Sequence, residues 1–244
     1  MTTFVLVHGA WAGAHGWRTV RKLLAADGHD VFTPSLTGIG ERVHLASPQV
    51  DLTTHVNDVV NQIVFEDLRD IVLVGYSYGG VVVTAAVDHV HDRVRELVFL
   101  DAFVPSDGES AFDALGMSGG PTLIGLGDDW LVPPPARDYD DPEEAAWQLP
   151  RRVAHPVRCF TEPVRLSRPL EEHAFGLTFI KAIEEPRDTP GGNAFWEAGE
   201  RAQASPRWRY HEIDTNHMVA SNRPAELAQL PVEIAGTSSS SSAR

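Results

Sequence analysis

A mostly parallel β-sheet flanked by helices, an α/β fold, is predicted by three features of the sequence. Strand-like and helix-like patterns alternate from residue 4 onward, as they do where parallel strands are joined by crossover helices. Four apolar residues, Ile71 to Val74, lead through Gly75-Tyr76-Ser77-Tyr78-Gly79 into the largely apolar stretch Val81 to Val87, the order of a buried strand, a sharp turn and a helix. The 244 residues, 43% hydrophobic and 22% charged, suit one domain with a large core, expected over residues 1–236.

Taken in order, Phe4 to Val7 reads as the first strand, Trp17 to Ala26 as a helix and His29 to Thr33 as the second strand. Between the first two lies His8-Gly9-Ala10-Trp11-Ala12-Gly13, whose small residues let backbone N–H groups approach a ligand. It carries neither G-x-x-x-x-G-K-[ST] nor G-x-G-x-x-G, so it is not a phosphate loop. Pro34 to Arg42 is rich in turn residues, and Asp51 is the expected N-cap of a helix running to about Phe65. The Gly-x-Ser-x-Gly match follows. In such a turn the serine backbone is strained, and a Cβ at either glycine would strike the neighbouring strand or helix. Leu97 to Ala102 is the next strand, with Asp101 at its C-terminal end, where open α/β sheets bind ligands.

From Val104 to about Phe175 the alternation stops and prolines become frequent, Pro121, Pro133, Pro134 and Pro135 among them. A long stretch without sheet periodicity in a compact domain indicates an inserted functional segment. We expect a lid over about 105–175, between the strand ending at Asp101 and the strand near Phe179. Its large apolar residues, Phe112, Leu115, Trp130, Leu131, Trp147, Phe160 and Phe175, should roof the crevice; the plainer reading is that they bury one another. The sheet resumes at Leu177 to Ile183 and at Trp208 to Ile213. A last helix runs from about Arg223 to Leu230 and stops at Pro231, and the serine-rich stretch 237–244 is expected to be a disordered tail.

Composition excludes several classes of partner. The formal net charge is −14, with no basic stripe to meet phosphates, so no nucleic acid partner is expected. No apolar run approaches the roughly 20 residues needed to span a bilayer, so no membrane partner is expected either. The N-terminus reads as a strand rather than a signal peptide, and the lone Cys159, read as a packing residue, excludes a disulfide within the chain. A cytoplasmic location is the expectation. Asp88, His89, His91 and Asp92 cluster at the polar end of a helix without a further spaced pair of ligands, so no metal is expected.

The chemistry centres on the order Ser77, an acid, then His217 after the last strand. Serine is a weak nucleophile until a histidine takes its proton. The histidine needs a carboxylate to fix its tautomer and stabilise its cation, and a developing oxyanion needs preorganised donors. The backbone N–H groups of Ala10 and Tyr78 are placed to be those donors. Of eleven histidines, His217 alone sits in the loop after the final strand, and His8 is expected to close a structural hydrogen bond.

Phe4-Val5-Leu6-Val7-His8-Gly9-Ala10-Trp11, Leu36-Thr37-Gly38-Ile39-Gly40-Glu41-Arg42, Gly75-Tyr76-Ser77-Tyr78-Gly79, Phe99-Leu100-Asp101-Ala102-Phe103-Val104-Pro105 and His217-Met218 together carry a resemblance over nearly all of residues 3 to 235. The chain resembles the α/β-hydrolases, in the branch that includes plant methylesterases, plant hydroxynitrile lyases and many bacterial esterases. The resemblance implies cofactor-free hydrolysis of small to medium, fairly apolar carboxylic esters through an acyl-enzyme, with Ser77 and His217 in the triad. It leaves a homodimer open. Relatives usually carry an aspartate after the next-to-last strand, where this chain has Glu185; we favour Asp101 as the acid, because its strand should lie beside that of Ser77. Two other readings are weighed. A hydroxynitrile lyase would resemble its kind in a threonine after the first-strand histidine and a lysine after the catalytic one, where this chain has Gly9 and Met218. A ligand-binding protein on the same fold would dispense with turnover.

Overall fold

The computed structural model describes residues 1–117 and 130–241. Pro121 and the rest of 118–129, within the expected lid, and residues 242–244 of the expected tail lie outside the described residues. In chain order the main elements are β1 (Thr3–Val7), α1 (Arg18–Ala26), β2 (Asp30–Phe32), α2 (Leu52–Phe65), β3 (Ile71–Tyr76), α3 (Gly79–Val90) and β4 (Val94–Leu100). Within the inserted segment come α4 (Ala111–Ala114), β5 (Leu131–Val132), α5 (Pro142–Gln148), β6 (His155–Pro156) and α6 (Arg158–Thr161). Then follow β7 (Gly176–Ala182), α7 (Gly192–Ala204), β8 (Trp208–Ile213), α8 (Val219–Asn222) and α9 (Pro224–Ser241).

Six strands form one all-parallel sheet in the order β2-β1-β3-β4-β7-β8. The central strands are largely apolar because both faces are covered, and alternation sorts their side chains. Val5, Val7, Leu73, Phe99, Leu177 and Phe179 point to the face packed by α2, α3 and α7. Phe4, Leu6, Val72, Val74, Val98, Leu100 and Ile180 point to the face packed by α1, α8 and α9. The chain leaves β1 outward to β2 and then returns to β3 on the other side of β1, so the strand order reverses between β1 and β3. Ligands bind at such a switch point, beyond the C-terminal ends of the strands. The loop after β1 carries Ala10 and Trp11, and the turn after β3 carries Ser77.

The N-cap of α2 is the one expected. The Asp51 carboxylate accepts from the Thr54 N–H at 3.0 Å, a contact of the kind that contributes about 1 kcal/mol. Two elements differ from expectation. A helix that the sequence pattern does not mark, α7, connects the last two strands, and its Ala194, Phe195, Ala198 and Ala202 are buried against the sheet. The second is the C-terminal helix: α9 does not stop at Pro231 but continues through it to Ser241, where a disordered tail is expected from residue 237. An interior proline costs roughly 3 kcal/mol; burial of Leu227, Ala228 and Ile234 against the sheet offsets it. Among the described residues no helix is long and apolar enough to cross a membrane.

Candidate active site

Ser77 sits on the turn between β3 and α3 with φ +56°, a left-handed conformation that a non-glycine residue holds only when its surroundings impose it. Those surroundings are tight. A Cβ on Gly75 would stand 2.7 Å from the Gly79 carbonyl oxygen, and one on Gly79 would stand 2.7 Å from that of Val7, so neither position accepts a side chain. The Ser77 N–H donates to Leu100 O (3.2 Å), and Ser77 O accepts from Phe103 N–H (3.3 Å), which ties the turn to the end of β4.

The structure brings Ser77, His217 and Asp101 together. His217 Nε2 lies 3.0 Å from Ser77 Oγ, and His217 Nδ1 lies 2.6 Å from Asp101 Oδ2. A carboxylate can only accept, so Nδ1 carries the proton and Nε2 is left to accept from the serine hydroxyl. The imidazole is clamped between two rings, Tyr76 at 5.0 Å and Phe195 at 4.7 Å, and Tyr76 Oη donates to the His217 carbonyl at 2.6 Å. Burial lowers the affinity of His217 for a proton, and the opposing hydrogen bond and charge of Asp101 do not fully restore it. Burial alone would raise the Asp101 carboxyl; the hydrogen bond and charge of His217, with the charge of Lys181, hold it below the usual carboxylate range.

Asp101, like Ser77, has a left-handed backbone, with φ +39°. Its N–H donates to Ile180 O at 2.8 Å, and Oδ1 accepts from Lys181 Nζ at 2.7 Å. Glu185, the competing acid, instead supports the backbone of the histidine loop. Its Oε2 accepts from the His217 N–H (2.9 Å), and its Oε1 is held by Thr189 Oγ1 (2.5 Å) and Arg137 (3.3 Å). Lys181, Tyr76 and Phe195 are absent from the sequence reading of the site. A signal existed for the lysine: it lies on the buried face of β7 that Leu177 and Phe179 share, where an ammonium requires an anionic partner.

Ala10 and Tyr78 border Ser77 on a cavity of about 680 Å³. Tyr78 precedes the first turn of α3, whose amides have no acceptor within the helix. Its hydroxyl meets His55 Nδ1 at 3.0 Å in the core, while His55 Nε2 donates to Thr37 O at 2.8 Å. The Ala10 loop is anchored one residue further on. Trp11 N–H donates to His155 Nδ1 (3.4 Å), Trp11 Nε1 to Val132 O (2.8 Å), and Trp11 O accepts from Val153 N–H (3.0 Å). All three partners belong to the inserted segment.

The apolar wall of the cavity includes Trp11, Phe103, Phe112, Leu115, Phe160 and Phe195, and Arg137 lines it as well. Of the residues expected to roof it, Phe112, Leu115 and Phe160 do line it. Trp130, Leu131, Trp147 and Phe175 do not: Trp130 and Phe175 pack into the core, Trp147 carries Arg18 and Arg151 against its ring, and Leu131 pairs with Pro156. His8 makes the structural bonds expected of it. Its Nδ1 donates to Gly9 O (2.9 Å), its Nε2 accepts from Leu36 N–H (3.1 Å), and burial pushes its pKa down to about 4. Cys159 is buried, and burial pushes its thiol up. Asp88 accepts from Ser167 Oγ at 2.8 Å, an interaction within the fold.

A strained serine after β3, a histidine after the last strand and a crevice at the switch point are features of the α/β-hydrolase fold. The sequence signature of the alpha/beta hydrolase family matches residues 4–230, and the chain belongs to that family. It is similar to a carbendazim hydrolyzing esterase of Nocardioides sp. (strain SG-4G), 49% identical over 110 residues, which are 45% of this chain and 46% of that protein. Methylesterase 8 of Arabidopsis thaliana is 35% identical over 118 residues, 44% of this chain and 40% of that protein. The matched portion thus spans less than half the length of both curated relatives. Among solved structures, an extracellular alpha/beta-hydrolase from a Paenibacillus species, described as sharing structural and functional homology with tobacco salicylic acid binding protein 2, has TM-score 0.78 at 25% identity. That match covers 96% of this chain and 98% of the other.

Proposed function

We propose that the protein is a serine hydrolase of small to medium, fairly apolar carboxylic esters that works without a cofactor. The observation that supports this most is the relay Ser77 Oγ, His217 Nε2 and Nδ1, Asp101 Oδ2, opening on a largely apolar cavity. Ser77 Oγ attacks the ester carbonyl as His217 Nε2 takes its proton, and Asp101 stabilises the imidazolium that results. The negative charge that develops on the carbonyl oxygen is met by the N–H groups of Ala10 and Tyr78. His217 then returns the proton to the departing alcohol, leaving an acyl-Ser77 that water cleaves by the same steps in reverse. The inserted segment acts as a lid that selects substrates. The cytoplasm is the compartment that goes with this reading, and cell fractionation tests it.

Purified protein offered aryl and alkyl esters, lactones, carbendazim and a cyanohydrin should turn over members of the ester group with no added metal or nucleotide. Turnover of the cyanohydrin alone would instead favour the carbon–carbon lyase. That second reading has less support here, because a Cβ at Gly9 would stand 2.9 Å from Ser77 Cβ, leaving no room there for threonine. No turnover of any compound would return the protein to the ligand-binding reading.

Selection by the cavity wall is tested at Leu115, which is half-buried on the cavity and less central to the core than Phe160. Leu115→Ala removes apolar contact from long acyl or aryl groups and little from acetate. KM for the bulky ester should rise about five-fold, with kcat for acetate esters nearly unchanged. Equal effects on both substrates would assign Leu115 to packing. The same test at Trp130, a residue the sequence reading puts on the crevice, should change stability rather than substrate preference.

A further inference from the structure

Lys181 has no exposed surface, and neither does Asp101. Its Nζ donates to Asp101 Oδ1 at 2.7 Å and to the Ala182 carbonyl at 2.7 Å, and it lies 4.3 Å from the centre of the Trp196 ring. An ammonium has three protons and no acceptor capacity, so two hydrogen bonds and an aromatic face use it fully. The Asp101 carboxylate is therefore divided: one oxygen is held by a buried cation, the other by His217 Nδ1. The charge of Asp101 favours a protonated ring, against the burial that disfavours it, and a protonated ring cannot accept from Ser77. A cation on the far oxygen balances that carboxylate until the imidazolium forms.

We propose that Lys181 is a positioning residue of the Ser77–His217–Asp101 relay: it fixes Asp101 with Oδ2 towards His217 and keeps His217 in its neutral, proton-accepting form toward lower pH. The kinetic part rests on the esterase reading above. Two other groups act in the same direction without contacting Asp101 as a cation: the charge of Arg137 also disfavours a protonated His217, and the Ala182 N–H reaches Asp101 Oδ1 at 3.4 Å. From β3, Tyr76 donates to the His217 carbonyl, and its phenol is uncharged. After β7, Glu185 accepts from the His217 N–H, but its charge is paired with Arg137 of the inserted segment at 3.3 Å. From β8, Tyr210 is another uncharged phenol near Asp101, and from α7 the ring meets Phe195, which carries no charge. Arg187 lies over the Trp196 ring at 5.0 Å and is bonded to Glu200. Among the described residues, Lys181 is the cation in direct contact with Asp101.

The test is Lys181→Met, which keeps the length of the stem and removes the charge, with Lys181→Gln as the variant that keeps a donor. At an effective dielectric of about 20, a unit charge one carboxylate away changes a neighbouring pKa by roughly one unit. The acid limb of kcat/KM on a neutral ester should therefore move up by about one pH unit in both variants, with the plateau at higher pH within about ten-fold of the parent. NMR titration of His217 in histidine-labelled protein without substrate should move in the same direction. That arm separates failure of this proposal from failure of the esterase reading, since it needs no turnover. An unmoved limb and an unmoved His217 titration in a folded variant overturn the proposal and leave Lys181 a stabilising residue only. Should both variants fail to fold, the unsubstituted protein decides. Its Lys181 Nζ resonance should be that of an ammonium and should shift as His217 takes up a proton, and a neutral amine or an unresponsive signal overturns the proposal.

Discussion

Ser77→Ala abolishes steady-state ester turnover, with a loss on the order of 10⁶ in kcat, because the members of such a relay act as a unit. The substitution removes one oxygen from a side chain that is 7% exposed, and the backbone bonds that hold the turn, to Leu100, Gly80 and Phe103, do not involve that oxygen. The variant should therefore keep the far-UV signal and melting temperature of the parent to within a few degrees. Relief of the +56° φ is not expected, since alanine is no easier there than serine. A serine-directed organophosphorus reagent should label the parent at Ser77 and leave the variant unlabelled. Substantial activity in the folded variant would end the serine-hydrolase reading.

Asp101→Asn carries the second largest effect, a fall in kcat of roughly 10⁴, because an amide that donates to His217 Nδ1 selects the tautomer that cannot accept from Ser77. A second consequence separates this position from a purely catalytic one. The change leaves the buried Lys181 ammonium without its carboxylate, and breaking a buried pair in this way costs about 3–5 kcal/mol. A chain of this length should then melt roughly 10 °C lower. Glu185→Gln keeps an acceptor for the His217 N–H and should alter kcat by less than about ten-fold. A crippled Glu185→Gln beside a nearly normal Asp101→Asn would move the acid to Glu185.

Much of the sheet was legible because its central strands are buried on both faces, which leaves unbroken apolar runs such as Ile71 to Val74 that turn residues delimit sharply. Ser77, His217 and Asp101 were legible from the Gly-x-Ser-x-Gly turn, the family resemblance and their place just beyond the C-terminal ends of strands, although Glu185 shares that last feature after β7. What escaped depends on partners distant in sequence. The helix α7 starts at Gly191-Gly192 and contains Gly199, so its local propensity is poor and burial against β7 and β8 decides its conformation. Pro231 within α9 is a similar case: its cost is local and its compensation is tertiary. In the inserted segment no periodicity separates side chains that line the cavity from those that do not, so Trp130 and Phe112 look alike in the sequence although only Phe112 borders Ser77's cavity.

The three hydrogen bonds at Trp11 bear on how readily this scaffold could be given a new specificity. The inserted segment holds the loop that carries Ala10 through Val132, Val153 and His155, so the part that chooses the substrate also shapes the part proposed to receive its developing charge. The two are not separate modules. A graft of 104–175 from another member of the family would arrive with a carbonyl, an amide N–H and a ring nitrogen spaced for a different loop, and the Ala10 amide would be re-aimed along with the cavity wall. Residues 8–13 therefore belong to the same exchangeable unit as the segment above them, although some 90 residues lie between them in the sequence.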